Sequence, residues 1–319
     1  MKATLLGTRP RTAPGSRRAN DGPSGPPGRL LRVRRSVPGW CYLAPAIGLF
    51  ALFGWYPIFR GIQMAFQEDN LIDPPRWIGL ENFRHMLTDP LLAVAWRNTI
   101  MWTLLSLLFG FAIPIFVALI INELRRGRGF FQMTVFLPSV LPPVVAVVLW
   151  KWFYDPDPDV GLFNQALGLF GLPAMQWLDS ATMAMPSLVM QSVWAGSGGT
   201  ALFYLAALQS IPGELYEAAE VDGAGFFRRV WHVTFPQLRY VMLVLFILDV
   251  VGSMQVFVQP YIMTGGGPGD ATTTVLLLIF RYAFQYNDFG TAAALSLILA
   301  VVLAVLSAVY LRLTRKWAT

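Results

Sequence analysis

One carboxylate interrupts an apolar stretch and is the first candidate for a chemical role. Asp249 lies within residues 240–261, which otherwise carry no charge, and a charged side chain at the centre of a bilayer costs about 2.5–3.5 kcal/mol. It must therefore face protein or water. At about 100° per helical residue, the residues that share an arc of roughly 160° with it are Gly252, Ser253, Gln255 and Gln259. This face predicts either an interhelical hydrogen-bond network or the lining of a solute path.

A glycine-rich segment at residues 194–200 is the second candidate. A loop that cradles phosphate needs a lysine after its glycines, and none follows here, so we do not expect the chain to hydrolyse ATP itself. Gly198 allows two interpretations, close helix packing through small residues or an unwound segment that lines a solute path. Aromatic residues that could contact a solute there are Trp194, Tyr204 and Tyr261.

Catalytic chemistry finds no support in the sequence. A membrane-embedded enzyme would need paired carboxylates, a metal cluster, or a nucleophile beside a base. The two histidines, His85 and His232, fall in separate predicted loops, and the aspartates of residues 155–159 alternate with prolines as in a rigid turn. We therefore expect no catalytic residue, no metal site and no cofactor bound by this chain.

The elements that must position these residues are membrane helices. The chain is 55% hydrophobic and 13% charged, about half the charged fraction of a soluble domain. Its apolar runs are continuous rather than alternating, which favours helices over strands. The predicted fold is an all-α integral membrane protein with six transmembrane helices, the third kinked by prolines. They lie at about residues 40–66, 97–122, 129–153, 183–210, 238–261 and 289–312.

The distribution of basic residues predicts the orientation in the membrane. Of the 24 lysines and arginines, 18 fall in the terminal segments and in the loops on the same side, and the positive-inside rule makes that side cytoplasmic. Topology, rather than nucleic-acid binding, therefore explains the basic balance. Residues 1–36, rich in Pro, Gly and Arg, are predicted to be a disordered cytoplasmic tail, which leaves residues 37–319 as the membrane domain.

The longest cytoplasmic loop of this topology covers residues 211–237. A short helix is predicted at 213–221, ended by Gly223, and a second at 226–235, closed by Pro236. Two alanines beside carboxylates give the first helix a small, flat, charged face that another backbone could approach closely. Such a face is typical of a docking site for a partner protein.

This loop resembles the conserved loop of binding-protein-dependent ABC importer permeases. The family pattern is Glu-Ala-Ala, three residues, Gly, nine residues, an aliphatic residue, one residue, an apolar residue and Pro. The matching residues are Glu217, Ala218, Ala219, Gly223, Val233, Phe235 and Pro236. Phe235 stands where the family usually has Leu, and Asp222 and Ala224 match the fuller motif.

Further stretches resemble the carbohydrate-uptake branch, typified by maltose and glycerol-3-phosphate permeases. They are residues 77–83 with Asn98 and Thr99, and residues 263–268, 282–284 and 289–294. The resemblance covers most of the chain beyond the tail. One departure is Phe257-Val258, where the family commonly has Phe-Asp.

The resemblance implies a multi-subunit importer for a sugar or related polyol in a bacterial inner membrane, with both termini of this chain cytoplasmic. Its partners would be a second permease, two ATPase subunits that use ATP and Mg, and an extracytoplasmic solute-binding protein, with lipid around it and no nucleic acid. The residues expected to couple it to the ATPase are Glu217, Ala218, Ala219, Asp222, Gly223 and Ala224.

One alternative from a different class stays open, a secondary transporter of a small polar solute that uses Asp249. A single carboxylate makes a poor proton relay, and this alternative does not explain the loop at residues 211–237. The predicted spans contain no buried cation, because Lys151 and Arg281 lie near their outer ends. A neutral solute is therefore expected rather than an anion.

Overall fold

A computed structural model describes residues 42–124 and 126–315. The tail expected at residues 1–36 lies outside the described residues. The chain divides between Pro57 and Ile58 into two units, which are described separately. The first described element is helix α1, Tyr42–Met64, which contains a π-helical turn at Ala51–Trp55.

From Ile58 onwards the described chain is helical apart from its loops and one small hairpin. The hairpin pairs strand β1 (Gln67–Glu68) with strand β2 (Arg76–Trp77) in antiparallel register. The helices and helical turns that follow are α2 (Glu81–Thr88), α3 (Pro90–Glu123), α4 (Arg128–Val140), α5 (Pro143–Phe153), α6 (Leu162–Leu169), α7 (Ala184–Gln209), α8 (Gly213–Val221), α9 (Phe226–Ser253), α10 (Pro260–Thr264), α11 (Val275–Gln285) and α12 (Phe289–Thr314).

Four of these helices, α1, α3, α9 and α12, are long and apolar enough to cross a membrane. Helices α4 and α5 meet the same test only together, and they are bent by 97°. The bend falls at Leu141, whose backbone is extended (ψ 137°), because the ring of Pro142 disfavours helical geometry at the residue before it. The described residues thus give four spans, or five if the bent pair is one, where six were expected.

Helix α7 covers the fourth expected span as one continuous helix of 26 residues. Its length is sufficient to cross a bilayer, but its serines, glycines and glutamines make it less apolar than the four long helices. Of the two interpretations of residues 194–200, the unwound segment is wrong, because all seven residues lie within this helix.

The fifth expected span begins and ends earlier than its sequence indicated. The short helix that was predicted to end at Pro236 is part of α9. A π-helical turn at Val230–Thr234 precedes this proline, and the changed hydrogen-bond pattern of the turn accommodates a residue that has no backbone N–H. The helix then ends at Ser253 instead of residue 261. Beyond it, the carbonyl of Val256 accepts a hydrogen bond from Thr274 Oγ1 at 3.0 Å.

Helices α3 and α7 lie at the centre of the unit that begins at Ile58. Their buried residues form one cluster with α5 and the segment that follows α9, and another with α9 itself. A third cluster joins α2, α3, α11 and α12. Because α7 packs against these neighbours along much of its length, the polar residues on its buried side must be paired with other groups or line a cavity.

Candidate functional site

A polar cavity of about 380 Å³ opens between α3, α7, α9 and the segment that follows α9. It gathers four of the residues predicted to line a solute path, Asp249, Ser253, Gln255 and Gln259. From α3 it is lined by Trp102, Ser106 and Gly110, and from α7 by Ser192, Val193, Gly196, Ser197 and Thr200. The cavity therefore combines hydroxyl, amide and carboxylate groups with a few apolar walls, as ligand sites do.

Asp249 is the only ionisable residue among those that line this cavity. Its Oδ2 atom is buried and has no hydrogen-bond partner within the described residues. A Cβ atom added to Gly110 on α3 would lie 4.0 Å from that oxygen, so the two helices are close at this point. Gly110 lies in a π-helical turn at Leu107–Phe111, a distortion that is frequent at functional sites.

Gln255 and Gln259 reach the cavity for a reason that differs from the sequence argument. That argument placed them on one continuous helix, but α9 ends at Ser253. The chain turns after Ser253, and Gln255 Nε2 donates a hydrogen bond to the carbonyl of Val251 at 2.9 Å. The two glutamines therefore line the cavity from the segment after α9, while Asp249 lines it from α9 itself.

The predicted aromatic contacts lie elsewhere. Trp194 lines a separate apolar cavity of about 740 Å³ and packs against Trp150 with ring centroids 5.3 Å apart. Tyr204 is fully buried in the core beside Phe111. Tyr261 packs in parallel against Phe257, with centroids 5.0 Å apart. Of these six rings, only Phe257 lines the polar cavity.

Gly198 occupies the packed side of α7. A Cβ atom there would lie 2.1 Å from the carbonyl oxygen of Val135 on α4, so only glycine allows this approach. Ser139 Oγ fixes the same contact, because it donates to the carbonyl of Ala195 at 2.8 Å and accepts from the Gly199 N–H at 3.0 Å. The close-packing interpretation therefore describes Gly198, and other residues of the same segment line the cavity.

Sequence reasoning missed the contribution of α3 and, from α7, that of Ser192 and Val193, although a signal was present. Ser192, Gly196 and Thr200 follow one another at intervals of four residues, as do Trp102, Ser106 and Gly110. Residues four apart lie on one face of a helix. Two facing stripes of small or polar residues in apolar helices indicate a lined cavity.

The predicted docking loop is present as a helix with the expected bounds. Helix α8 covers Gly213–Val221, and Gly223 ends it in the left-handed region (φ +72°). Tyr216 and Thr234 hydroxyls lie 3.2 Å apart and connect α8 to α9. The predicted coupling residues form its exposed side, with Ala219 and Ala224 half-buried: Glu217, Ala218, Ala219, Asp222, Gly223 and Ala224.

The stretches that resembled the carbohydrate-uptake branch contact one another. Asn98 Nδ2 on α3 donates to the carbonyls of Asp270 at 2.7 Å and Thr273 at 2.9 Å, in the loop that follows residues 263–268. The hydrogen bond from Arg281, at 2.9 Å, holds the pKa of the Asp270 carboxyl below its usual range. These bonds fix the loop that leads into α11.

A second set of contacts joins residues 77–83 to α12. Asn82 Nδ2 donates to the carbonyls of Ala65 and Gln67, at 3.1 and 2.8 Å. Gly290 lies against the same strand, where a Cβ atom would be 2.4 Å from the Gln67 carbonyl oxygen. The resemblance motifs of this region are therefore explained by packing between backbone segments.

Comparison with known proteins gives a consistent result. Residues 107–319 match the family described as the binding-protein-dependent transport system inner membrane component. The chain is 33% identical to the sulfoquinovosyl glycerol transport system permease protein of Agrobacterium fabrum, over 86% of this chain and 89% of the relative. It is 31% identical to the trehalose/maltose transport system permease protein of Thermococcus litoralis, over 89% and 96%.

The fold is also similar to that of a solved importer. A chain of a bacterial ABC transporter involved in the import of the acidic polysaccharide alginate superposes with a TM-score of 0.81 and 30% identity, over 90% of this chain and 99% of that chain. In a structure of the alginate transporter with an alginate pentasaccharide-bound periplasmic protein, the TM-score is 0.80 and the identity 28%, over 90% and 97%.

Proposed function

This chain belongs to the family of binding-protein-dependent transport system inner membrane components and is a permease subunit of an ATP-driven importer, and we propose that the solute it transports is a neutral sugar or polyol. As a permease it is not itself an enzyme, since ATP hydrolysis belongs to a separate subunit. The observation that carries the proposal is the polar cavity around Asp249. Its hydroxyl, amide and carboxylate groups suit a ligand with many hydroxyls.

The charge of the cavity supports a neutral solute. Asp249 is its one ionisable residue, and an acidic solute placed beside this carboxylate in a desolvated site would be repelled. One solved neighbour imports an acidic polysaccharide, so a similar fold does not require the same solute. A sugar hydroxyl can donate directly to a carboxylate oxygen, and such charge-assisted hydrogen bonds are about twice as strong as neutral ones.

We further propose that six spans form in the membrane, with both termini cytoplasmic. The bent pair α4–α5 would be the third span, and α7, whose 26 residues exceed the roughly 20 required, would be the fourth. The loop at residues 211–237 would then be cytoplasmic. The excess of basic residues at both termini and in the loops of that side supports this orientation.

The exposed helix α8 is proposed as the contact with an ATPase subunit. Its acidic and small residues face outwards, and its connection to α9 through Tyr216 and Thr234 would carry a movement of α8 to the wall that holds Asp249. Two ATPase subunits, which use ATP and Mg, and a second permease would complete the membrane complex. A periplasmic solute-binding protein, as in the alginate transporter structure, would deliver the solute.

Co-purification from the native membrane tests this assignment. Tagged chain should bring an ATPase and a second permease with it, and Glu217→Arg should lose the ATPase, because it reverses a charge on the exposed face of α8. Glu123→Arg, a charge reversal at an exposed carboxylate outside α8 on the same proposed side of the membrane, is the matched control and should keep the ATPase. Recovery of the chain alone, with uptake driven by a proton gradient, would instead support the secondary transporter that uses Asp249.

A further inference from the structure

Four aromatic rings form a continuous strip beside the polar cavity. Phe257 and Tyr261 are parallel with centroids 5.0 Å apart, and both lie against Phe280, at 5.1 and 4.8 Å. Phe280 in turn lies 5.1 Å from Phe284. Each ring therefore contacts the next, from the segment after α9 to the end of α11.

The exposure of these rings separates them from the hydrophobic core. Helix α11 buries Leu278 and Tyr282, which are four residues apart and pack towards α3 and α12. Phe280 and Phe284, also four residues apart, lie on a different face, and Phe284 is 66% exposed. Tyr261 is 42% exposed. Phe257 and Phe280 are half-buried, so burial in this unit accounts for only part of the strip.

One end of the strip reaches the candidate solute site. Phe257 lines the polar cavity together with Asp249, Gln255 and Gln259. At the other end, Phe284 lies four residues before Asp288, which caps α12 by accepting a hydrogen bond from the Thr291 N–H at 2.9 Å. In the proposed orientation this loop is extracytoplasmic, so the strip connects the outer surface to the cavity.

The composition of the strip points to its occupant. Exposed aromatic rings also occur on other helices, such as Phe53 on α1 and Phe203 on α7, but, unlike these, this strip has a ring, Phe257, that lines the polar cavity. An exposed aromatic strip that continues into a polar cavity suits a ligand that is apolar on one face and polar at its edge. The C–H face of a sugar ring meets the negative face of an aromatic ring in this way, while its hydroxyls remain free.

We propose that Phe257, Tyr261, Phe280 and Phe284 form a carbohydrate-stacking track that guides a sugar from the outer surface to the cavity around Asp249. The track rests on the proposed function, since it requires a sugar as the solute. It adds a substrate preference. Because the track spans several rings, a solute with two or three sugar units contacts more of it than a monosaccharide does.

Transport by the assembled importer tests the track. The probes are labelled glucose, trehalose, maltose and maltotriose. Phe280→Leu and Phe284→Leu should each raise the KM about three- to ten-fold, the scale of an aromatic contact, for whichever di- or trisaccharide the importer takes up. Phe284→Tyr keeps an aromatic ring and should leave this KM near the wild-type value. Phe203→Leu, at a comparably exposed ring on α7 (64%), is the matched control and should leave uptake unchanged.

A labelling experiment provides a readout other than transport. The chain has one cysteine, so Cys41→Ser gives a cysteine-free background. In it, Phe284→Cys should react with a membrane-impermeant maleimide from outside and be protected by the transported sugar, whereas Phe203→Cys should not react. Sugar uptake that is unchanged by both leucine variants, or Phe284→Cys labelling without protection, overturns the track alone. If wild-type importer takes up none of the four sugars, the sugar assignment fails and the track with it.

Discussion

The side chain of Asp249 allows the binding role of the cavity to be separated from its stability. Asp249→Asn keeps the shape and removes the charge, so hydrogen bonds from sugar hydroxyls should weaken by the difference between charged and neutral acceptors. We expect the KM for uptake to rise about ten-fold. The thermal unfolding temperature should stay equal or rise, because the variant no longer buries a carboxylate whose Oδ2 atom has no partner within the described residues, and a neutral amide costs less to bury than a charge.

The matched control for this prediction is Asp179→Asn, which neutralises an exposed carboxylate outside the cavity. It should change neither uptake nor the unfolding temperature. Unchanged uptake by Asp249→Asn would contradict both a solute contact and a proton-carrying role for this residue, and would leave the cavity as part of a helix-packing network.

At the level of single residues, the sequence singled out Asp249 but did not identify most of the residues that line the cavity with it. A lone carboxylate in an apolar run can be read directly, because the cost of burying a charge is large. The aromatic candidates were less predictable. Trp194 and Tyr204 do not line the polar cavity, since an aromatic side chain packs equally well into a core, and the sequence alone does not state which side of a helix faces that core.

The contact between helices α7 and α4 depends on one glycine, which gives a prediction at the level of elements. Gly198→Ala places a Cβ atom 2.1 Å from the Val135 carbonyl oxygen, so α4 must move away. Overpacking of this kind costs roughly 1–3 kcal/mol, and the unfolding temperature of the detergent-solubilised complex should fall.

Gly196→Ala in the same helix is the control, because no atom lies within 4 Å of the added Cβ position. It should leave the unfolding temperature unchanged or raise it slightly, since alanine is the better helix former. Equal unfolding temperatures for the two variants would show that α4 can move away from α7 at no cost in stability. The contact with α7 would then not fix the position of the bent pair α4–α5.

Element boundaries show where sequence patterns stop being informative. The helix α8 was predicted to the residue, because proline and glycine mark its two ends locally. Helix α9 was predicted with both ends wrong. Its continuation through Pro236 depends on a π-helical turn, and its end at Ser253 is accompanied by a hydrogen bond from Thr274, a residue that is distant in sequence. Neither feature follows from hydrophobic periodicity.

At the scale of the whole molecule, the proposed subunit composition rests on family membership, and the proposed orientation rests on the distribution of basic residues. The geometry of one chain tests neither. Residue spacing in the loop at 211–237 identified the family, because a partner-binding surface constrains exposed residues that packing would leave free. In the proposed complex, this chain would contribute one wall of a transport path and the second permease the opposing wall.

The proposed orientation gives the last prediction. In the Cys41→Ser background, Asp157→Cys in the exposed loop between α5 and α6 should react with an impermeant maleimide in intact cells. Glu214→Cys, exposed on α8, should react only after the membrane is permeabilised, because the basic residues around its loop favour the cytoplasmic side. Inverted membrane vesicles should exchange the two results, which controls for intrinsic reactivity. Labelling of Glu214→Cys in intact cells would place α8 outside, where no ATPase could reach it, and would contradict both the orientation and the role proposed for this helix.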